Sequence, residues 1–174
     1  TDFLSVDDIS SSNIAAIDGV LAPATGALLL DTTYGSGAEA AYSVRKLRSA
    51  YTGAAIQVQD AVGGSTYDIG FDVNNNLDTA TLLAIAGTTE LRVSIWYDQS
   101  GNGNDASQPT VINRPIIVSA GGTLVEQENR AAINFPRILT ETLYAGTLGG
   151  QTSTFFSVFT PDNGNSQWIF NFDS

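Results

Sequence analysis

Residues 91–96, Leu-Arg-Val-Ser-Ile-Trp, alternate apolar and polar side chains, and the run then stops in Tyr97-Asp-Gln-Ser-Gly-Asn-Gly-Asn-Asp105. Alternation with a period of two is what a pleated strand with one buried face requires. Gly101 and Gly103 can take positive φ, and the short Asx and Ser side chains can bond to their own backbone, so the loop can be ordered without an apolar core of its own. Asp98 and Asp105 therefore read first as anchors of that loop. A chain built around such a unit must supply further strands to cover the apolar face.

Those strands are legible on either side. Ile56 and Val58 alternate with Gln57 and Gln59, Gly63-Gly64 turns the chain, and Tyr67, Ile69 and Phe71 alternate with Asp68, Gly70 and Asp72, which predicts a β-hairpin. Pro115–Val118 and Ala131–Phe135 read as short strands. Thr154–Phe159 and Gln167–Phe172 are apolar on both faces, as central strands are. Ala27–Leu30 reads as a short strand closed by Asp31. Two helices are expected. One spans Gly35–Tyr51, where Ala40 or Ala41, Val44, Leu47 and Tyr51 recur three and four apart; the other spans Thr79–Ala86 behind the capping residue Asp78. The reading is mainly β, with residues 1–26 as an N-terminal arm and 27–174 as the folded domain. Ending soon after the apolar run 167–172, and lacking any Met, the sequence reads as a piece of a longer protein.

Composition narrows the chemistry. With no Cys and no His among 174 residues, there is no disulfide framework, thiolate metal site, Cys nucleophile or Ser-His-Asp triad, so any catalysis has to run on carboxylates. Eighteen Asp/Glu against seven Lys/Arg give a net charge of −11, which makes nucleic acid and anionic membranes poor partners. No apolar run reaches the roughly 18 residues of a membrane span. The basic trio Arg45, Lys46 and Arg48 reads as a solvated helix face.

Asp72, Asn74, Asn76 and Asp78 place an oxygen-bearing side chain at every second position, as calcium loops do. Leu77 stands where such a loop needs Gly and Leu83 where it needs Glu. Calcium is thus a weak possibility, the simpler reading is a polar turn into a helix cap, and no cofactor is expected. In the arm, Phe3, Leu4, Ile9, Ile14 and Ile17 are too apolar for a solvated linker. They predict packing along the arm's own domain or docking on a neighbouring subunit in an oligomer.

Ala41-Tyr-Ser-Val-Arg-Lys-Leu, Tyr51-Thr-Gly-Ala-Ala-Ile-Gln-Val, Asp68-Ile-Gly-Phe-Asp and, above all, Trp96-Tyr-Asp-Gln-Ser-Gly-Asn-Gly-Asn-Asp-Ala-Ser-Gln resemble the N-terminal half of the catalytic domain of family-54 α-L-arabinofuranosidases. The resemblance spans about residues 38–172. It implies a concanavalin-like jelly-roll β-sandwich, incomplete here, in which the nucleophile and the acid/base are carboxylates of the half that follows. No position of this chain matches those two. The family's vicinal cysteine pair would fall near Trp168–Phe170, where this chain has no Cys. The signature also resembles lectin-like domains of phage and marine bacterial appendage proteins, and Ile14-Ala-Ala-Ile-Asp-Gly-Val20 resembles segments near the start of tailed-phage structural proteins.

From these resemblances the expected function is a non-enzymatic structural or adhesion module of an extracellular appendage, at a phage virion or tail fibre. The arm would dock on other virion subunits, and a cell-surface glycan would be recognised by Trp96, Tyr97, Asp98, Asn102, Asn104 and Asp105. Trp96, on the alternation, shares a face with Arg92 and Ser94; burial under a helix is the commoner fate of such a Trp. The alternative function is a fragment of an arabinofuranosidase-type glycoside hydrolase whose catalytic carboxylates lie beyond residue 174.

Overall fold

The computed structural model describes residues 27–32, 37–135 and 142–145. The arm 1–26, with Phe3, Leu4, Ile9, Ile14 and Ile17, and the expected strands 154–159 and 167–172 lie outside the described residues.

Among the described residues the architecture is mainly β, with antiparallel sheets and one α-helix. Strands β1 (Ile56–Asp60) and β2 (Thr66–Ile69) form the expected hairpin, α1 is Thr79–Ala86, and β3 (Leu91–Trp96) and β4 (Ala106–Ser107) flank the signature loop. They are followed by β5 (Ile116–Ser119), β6 (Thr123–Leu124), β7 (Glu126–Gln127) and β8 (Arg130–Ala131). The larger sheet runs β2-β1-β3-β5-β6, with β4 also paired to β3; β7 and β8 form a separate ribbon. Its buried side carries Ile56, Val58, Ile69, Val93 and Ile117, and α1 lays Leu82 and Ala86 into the same cluster. Burial of each large side chain here contributes about 1.5–3 kcal/mol. Asp78 caps α1 as expected, its Oδ1 accepting the Thr81 N–H at 3.0 Å and its Oδ2 the Thr81 hydroxyl at 2.7 Å.

Three local expectations are corrected. Leu29–Asp31 is a turn of 3₁₀-helix where a strand was expected. Ala131–Phe135 pairs with β7 only at its start; Asn134 then bridges to Ile116. No helix occupies the described part of 35–51. There the backbone is an extended strap whose groups are satisfied by other segments: the Leu30 N–H donates to Leu47 O at 2.8 Å, the Lys46 N–H to Asn75 O at 2.8 Å, and Arg45 bridges to Asn76. Tertiary partners outweigh a helical spacing that contributes only tenths of a kcal/mol per residue.

Strand β3 carries a further correction. Val58 pairs with Val93 but Gln57 pairs with Ile95, so Ser94 is an extra residue, a β-bulge. Past the bulge every side chain changes face. Trp96 therefore stands opposite fully buried Ile56, on the core side, and Tyr97 turns to the polar side with Gln57 and Asp68.

The β5–β6 turn is pinned to the loop after α1 by a bond from the Gly121 N–H to Thr88 O at 3.0 Å. Gly122 sits at φ +78°, and a Cβ there would lie 1.9 Å from the carbonyl oxygen of Gly87. Gly122→Ala is expected to cost about 2 kcal/mol, because backbone on both sides must shift. A urea midpoint unchanged from the native value would disprove this close approach.

Candidate functional site

The signature loop is a clamp on the strap 38–47. Asp98 is 3% exposed and its carboxylate is filled: Oδ1 accepts the N–H groups of Ala41 and Ser100, both at 2.8 Å, and Oδ2 accepts the Ser100 hydroxyl at 2.6 Å and the Asn104 N–H at 3.1 Å. Burial alone would raise its pKa. The bonds from Ser100, Ala41 and Asn104 outweigh it and hold the carboxyl below the usual carboxylate range. An acid/base catalyst needs a free oxygen that exchanges a proton near working pH; Asp98 has neither property.

Gln99, fully buried, does for the strap what Asp98 does for the loop. Its Oε1 accepts the Leu47 N–H at 2.7 Å, and its Nε2 donates to the carbonyls of Ser43 at 2.9 Å and Arg45 at 3.0 Å. The remaining expected glycan ligands also spend their side chains on the backbone. Asn102 Nδ2 donates to the carbonyls of Ala38 and Glu39, Asn104 Nδ2 to that of Glu39, and Asp105 Oδ1 accepts the Asp98 N–H at 2.8 Å. Trp96 packs half-buried against the core with Tyr42 at 5.8 Å between ring centroids, and its indole N–H is buried without a partner among the described residues. The Tyr42 hydroxyl donates to Asn104 O, and burial, then the charges of Asp98 and Asp105, push its pKa up to about 12. Tyr97 donates to Asp68 Oδ1 at 2.8 Å; burial, then that bond, raise its pKa too. The expected sugar platform is thus split: Trp96 goes to the core, Tyr97 to the opposite face, and the Asx residues hold backbone. Gln99 went unassigned in the sequence, although its place between two anchoring residues marks it as part of the same device.

The calcium-like spacing is likewise spent on backbone. Asp72 Oδ1 accepts the N–H groups of Asn74 and Asn76, both at 2.8 Å, while Asp78 caps α1. Among the described residues no three His, Cys, Asp or Glu side chains converge as a metal site would need.

A hollow of about 250 Å³ lies beside the strap, lined by Lys46, Tyr51, Thr52, Gly53, Gly70, Phe71, Asp72 and Asn75. Tyr51 and Phe71 meet edge to face at 6.3 Å, and the Tyr51 hydroxyl is fixed on Ala54 O at 2.8 Å.

With this geometry in place, comparison with known proteins decides the lineage. The family described as "Alpha-L-arabinofuranosidase B, catalytic" matches residues 31–135, more than half of the chain. The chain belongs to that family. Among curated relatives, a probable α-L-arabinofuranosidase B of Aspergillus flavus is 42% identical over 67 residues, 38% of this chain and 13% of the relative. The α-L-arabinofuranosidase B of Aspergillus oryzae is 40% identical over the same length and shares. The match thus spans about an eighth of each relative's length. A solved arabinofuranosidase complexed with arabinofuranosyl-α-1,2-xylobiose is similar at 33% identity, over 40% of this chain and 15% of that one, with a TM-score of 0.37.

Family membership overturns the expectation of a non-enzymatic phage module. The signature that looked equally at home in appendage proteins sits inside a match to a glycosidase catalytic domain, and both relatives bear the enzyme's name. The expected virion-subunit partners and the tail-fibre assignment fall with it.

Proposed function

We propose that this chain forms part of the catalytic domain of a glycoside hydrolase that releases α-L-arabinofuranosyl groups from a saccharide. The family match over residues 31–135 carries this reading. Its place is extracellular, where a polymeric saccharide would be met; the virion surface has no support.

Retaining hydrolysis needs two carboxyl groups about 5–5.5 Å apart, one as nucleophile and one as acid/base. Asp98 supplies neither, since both its oxygens are engaged. The resemblance puts that pair in the part of the domain that follows the residues matched here. These residues contribute the frame: a sheet, a bulged strand β3, and a loop that locks, by hydrogen bonds, a strap 52 to 56 residues earlier in the chain. The test is hydrolysis of p-nitrophenyl α-L-arabinofuranoside by the whole protein that contains this chain, with p-nitrophenyl β-D-xylopyranoside as the control. Preferential release from the arabinofuranoside is expected; equal or absent release would overturn the assignment.

A further inference from the structure

The hollow beside the strap has no part in the clamp, and three of its polar side chains keep groups without a partner among the described residues. Asp72 uses only Oδ1 on its own turn, and Oδ2 makes no hydrogen bond to a described residue. Lys46 bonds through its backbone N–H, but no carboxylate among the described residues lies within 4.0 Å of its ammonium group. Asn75, held at φ 62°, bonds through its backbone N–H and C=O, and its amide side chain makes no hydrogen bond to a described residue. All three side chains are half-buried and line one hollow with the half-buried rings of Tyr51 and Phe71.

Two glycines keep the hollow open. At Gly53 a Cβ would come within 2.6 Å of the Tyr51 hydroxyl, so the missing side chain is what lets that ring lie against the backbone. At Gly70 a Cβ would meet nothing within 4 Å, so space in the lining is left unfilled there.

A carboxylate oxygen that accepts from hydroxyls, beside an ammonium and an amide that donate to them, is the complement of a neutral sugar's hydroxyl groups. A divalent cation would face the Lys46 charge with only one free carboxylate oxygen to hold it. An acidic sugar would set its charge against Asp72. A volume of about 250 Å³ is below the usual range for drug-sized ligands and suits a single sugar ring. We propose that this hollow is a subsite for one residue of a neutral pentose oligosaccharide. The choice of a pentose rests on the hydrolase reading above; the neutral-sugar chemistry rests on the hollow alone.

The experiment is calorimetric titration of the whole protein with xylohexaose, α-1,5-linked arabinohexaose, cellohexaose and trigalacturonate, under conditions in which any turnover is separately measured and subtracted. Lys46→Ala and Asn75→Gly are each expected to weaken binding of a pentose oligosaccharide about fivefold, the size of one lost hydrogen bond. Asn75→Gly retains the positive φ, and Gly70→Leu tests the space itself, with loss of binding expected. Thermal midpoints of all three variants guard against unfolding as the cause. Native protein that binds none of the pentose oligosaccharides, or binds them unaltered by all three changes, overturns the subsite. Tighter binding of trigalacturonate overturns the neutral class, and of cellohexaose the pentose class. Arabinofuranoside hydrolysis with no binding change in the variants would sink the subsite and leave the hydrolase standing; subsite binding without hydrolysis would do the reverse.

Discussion

Asp98→Asn is expected to lower the unfolding free energy by about 4 kcal/mol, although it changes one atom and leaves the shape of the side chain intact. The native carboxylate accepts four hydrogen bonds with two oxygens, three of them from backbone N–H groups and one from the Ser100 hydroxyl. An amide keeps one accepting oxygen and turns an NH₂ toward the other pair of donors. The Asn104 N–H then loses its partner, at about 1–3 kcal/mol, the Ser100 hydroxyl must turn to Glu39 O, and the charge that strengthened all four bonds is gone.

The deficit should also depend on pH, with a sign fixed by the carboxyl. Its folded pKa lies below the ordinary 3.8, because the donors around it outweigh the burial that would raise it. The stability it contributes is therefore fully present above the unfolded value and is lost as pH falls through the folded one. The gap between native protein and Asp98→Asn, read from urea midpoints, should be constant near neutrality and narrow below about pH 4. A gap that widened on acidification would mean that the carboxyl is protonated in the folded protein and that the clamp is not ionic.

What the sequence disclosed follows from how local the cause is. The hairpin of β1 and β2 and the capped helix α1 rest on alternation, a Gly-Gly turn and an Asp three residues before Thr81, all contained within a few neighbouring positions. The extended strap does not. Val44, Leu47 and Tyr51 keep helical spacing, but the strap's hydrogen bonds go to Gln99, Asp98 and Asn75, tens of residues away, and no periodicity reports partners at that distance. The face of Trp96 is hidden for a subtler reason. Counting by twos from Val93 assigns it to the polar face, and a single bulged residue at Ser94 reverses the count. The family signature was visible and its chemistry was misread, because Asn and Asp beside aromatics suit a sugar and suit a hydrogen-bonded loop equally well; only the directions of the side chains separate the two.

Gln99 gives the second large effect and tests the clamp from its other jaw. Gln99→Leu keeps the volume of a fully buried side chain and removes its polar end. The carbonyls of Ser43 and Arg45 and the N–H of Leu47 then lose their partners together, and about 3 kcal/mol of destabilisation is expected even though an apolar residue has been added to a buried site. Gln99→Glu sharpens the test. Its carboxylate can still accept from Leu47, but it sets its second oxygen against both carbonyls that Nε2 served, so at neutral pH it should be at least as damaging as Leu and should recover as acid protonates it. The strap also carries Lys46 and leads into Tyr51, two walls of the hollow. Loosening it by Gln99→Leu should therefore speed hydrogen exchange of the Leu47 and Lys46 amides before that of the β1 and β3 strands. Uniform exchange across strap and sheet would show instead that the loop and the core open as one unit, with no separate latch between them.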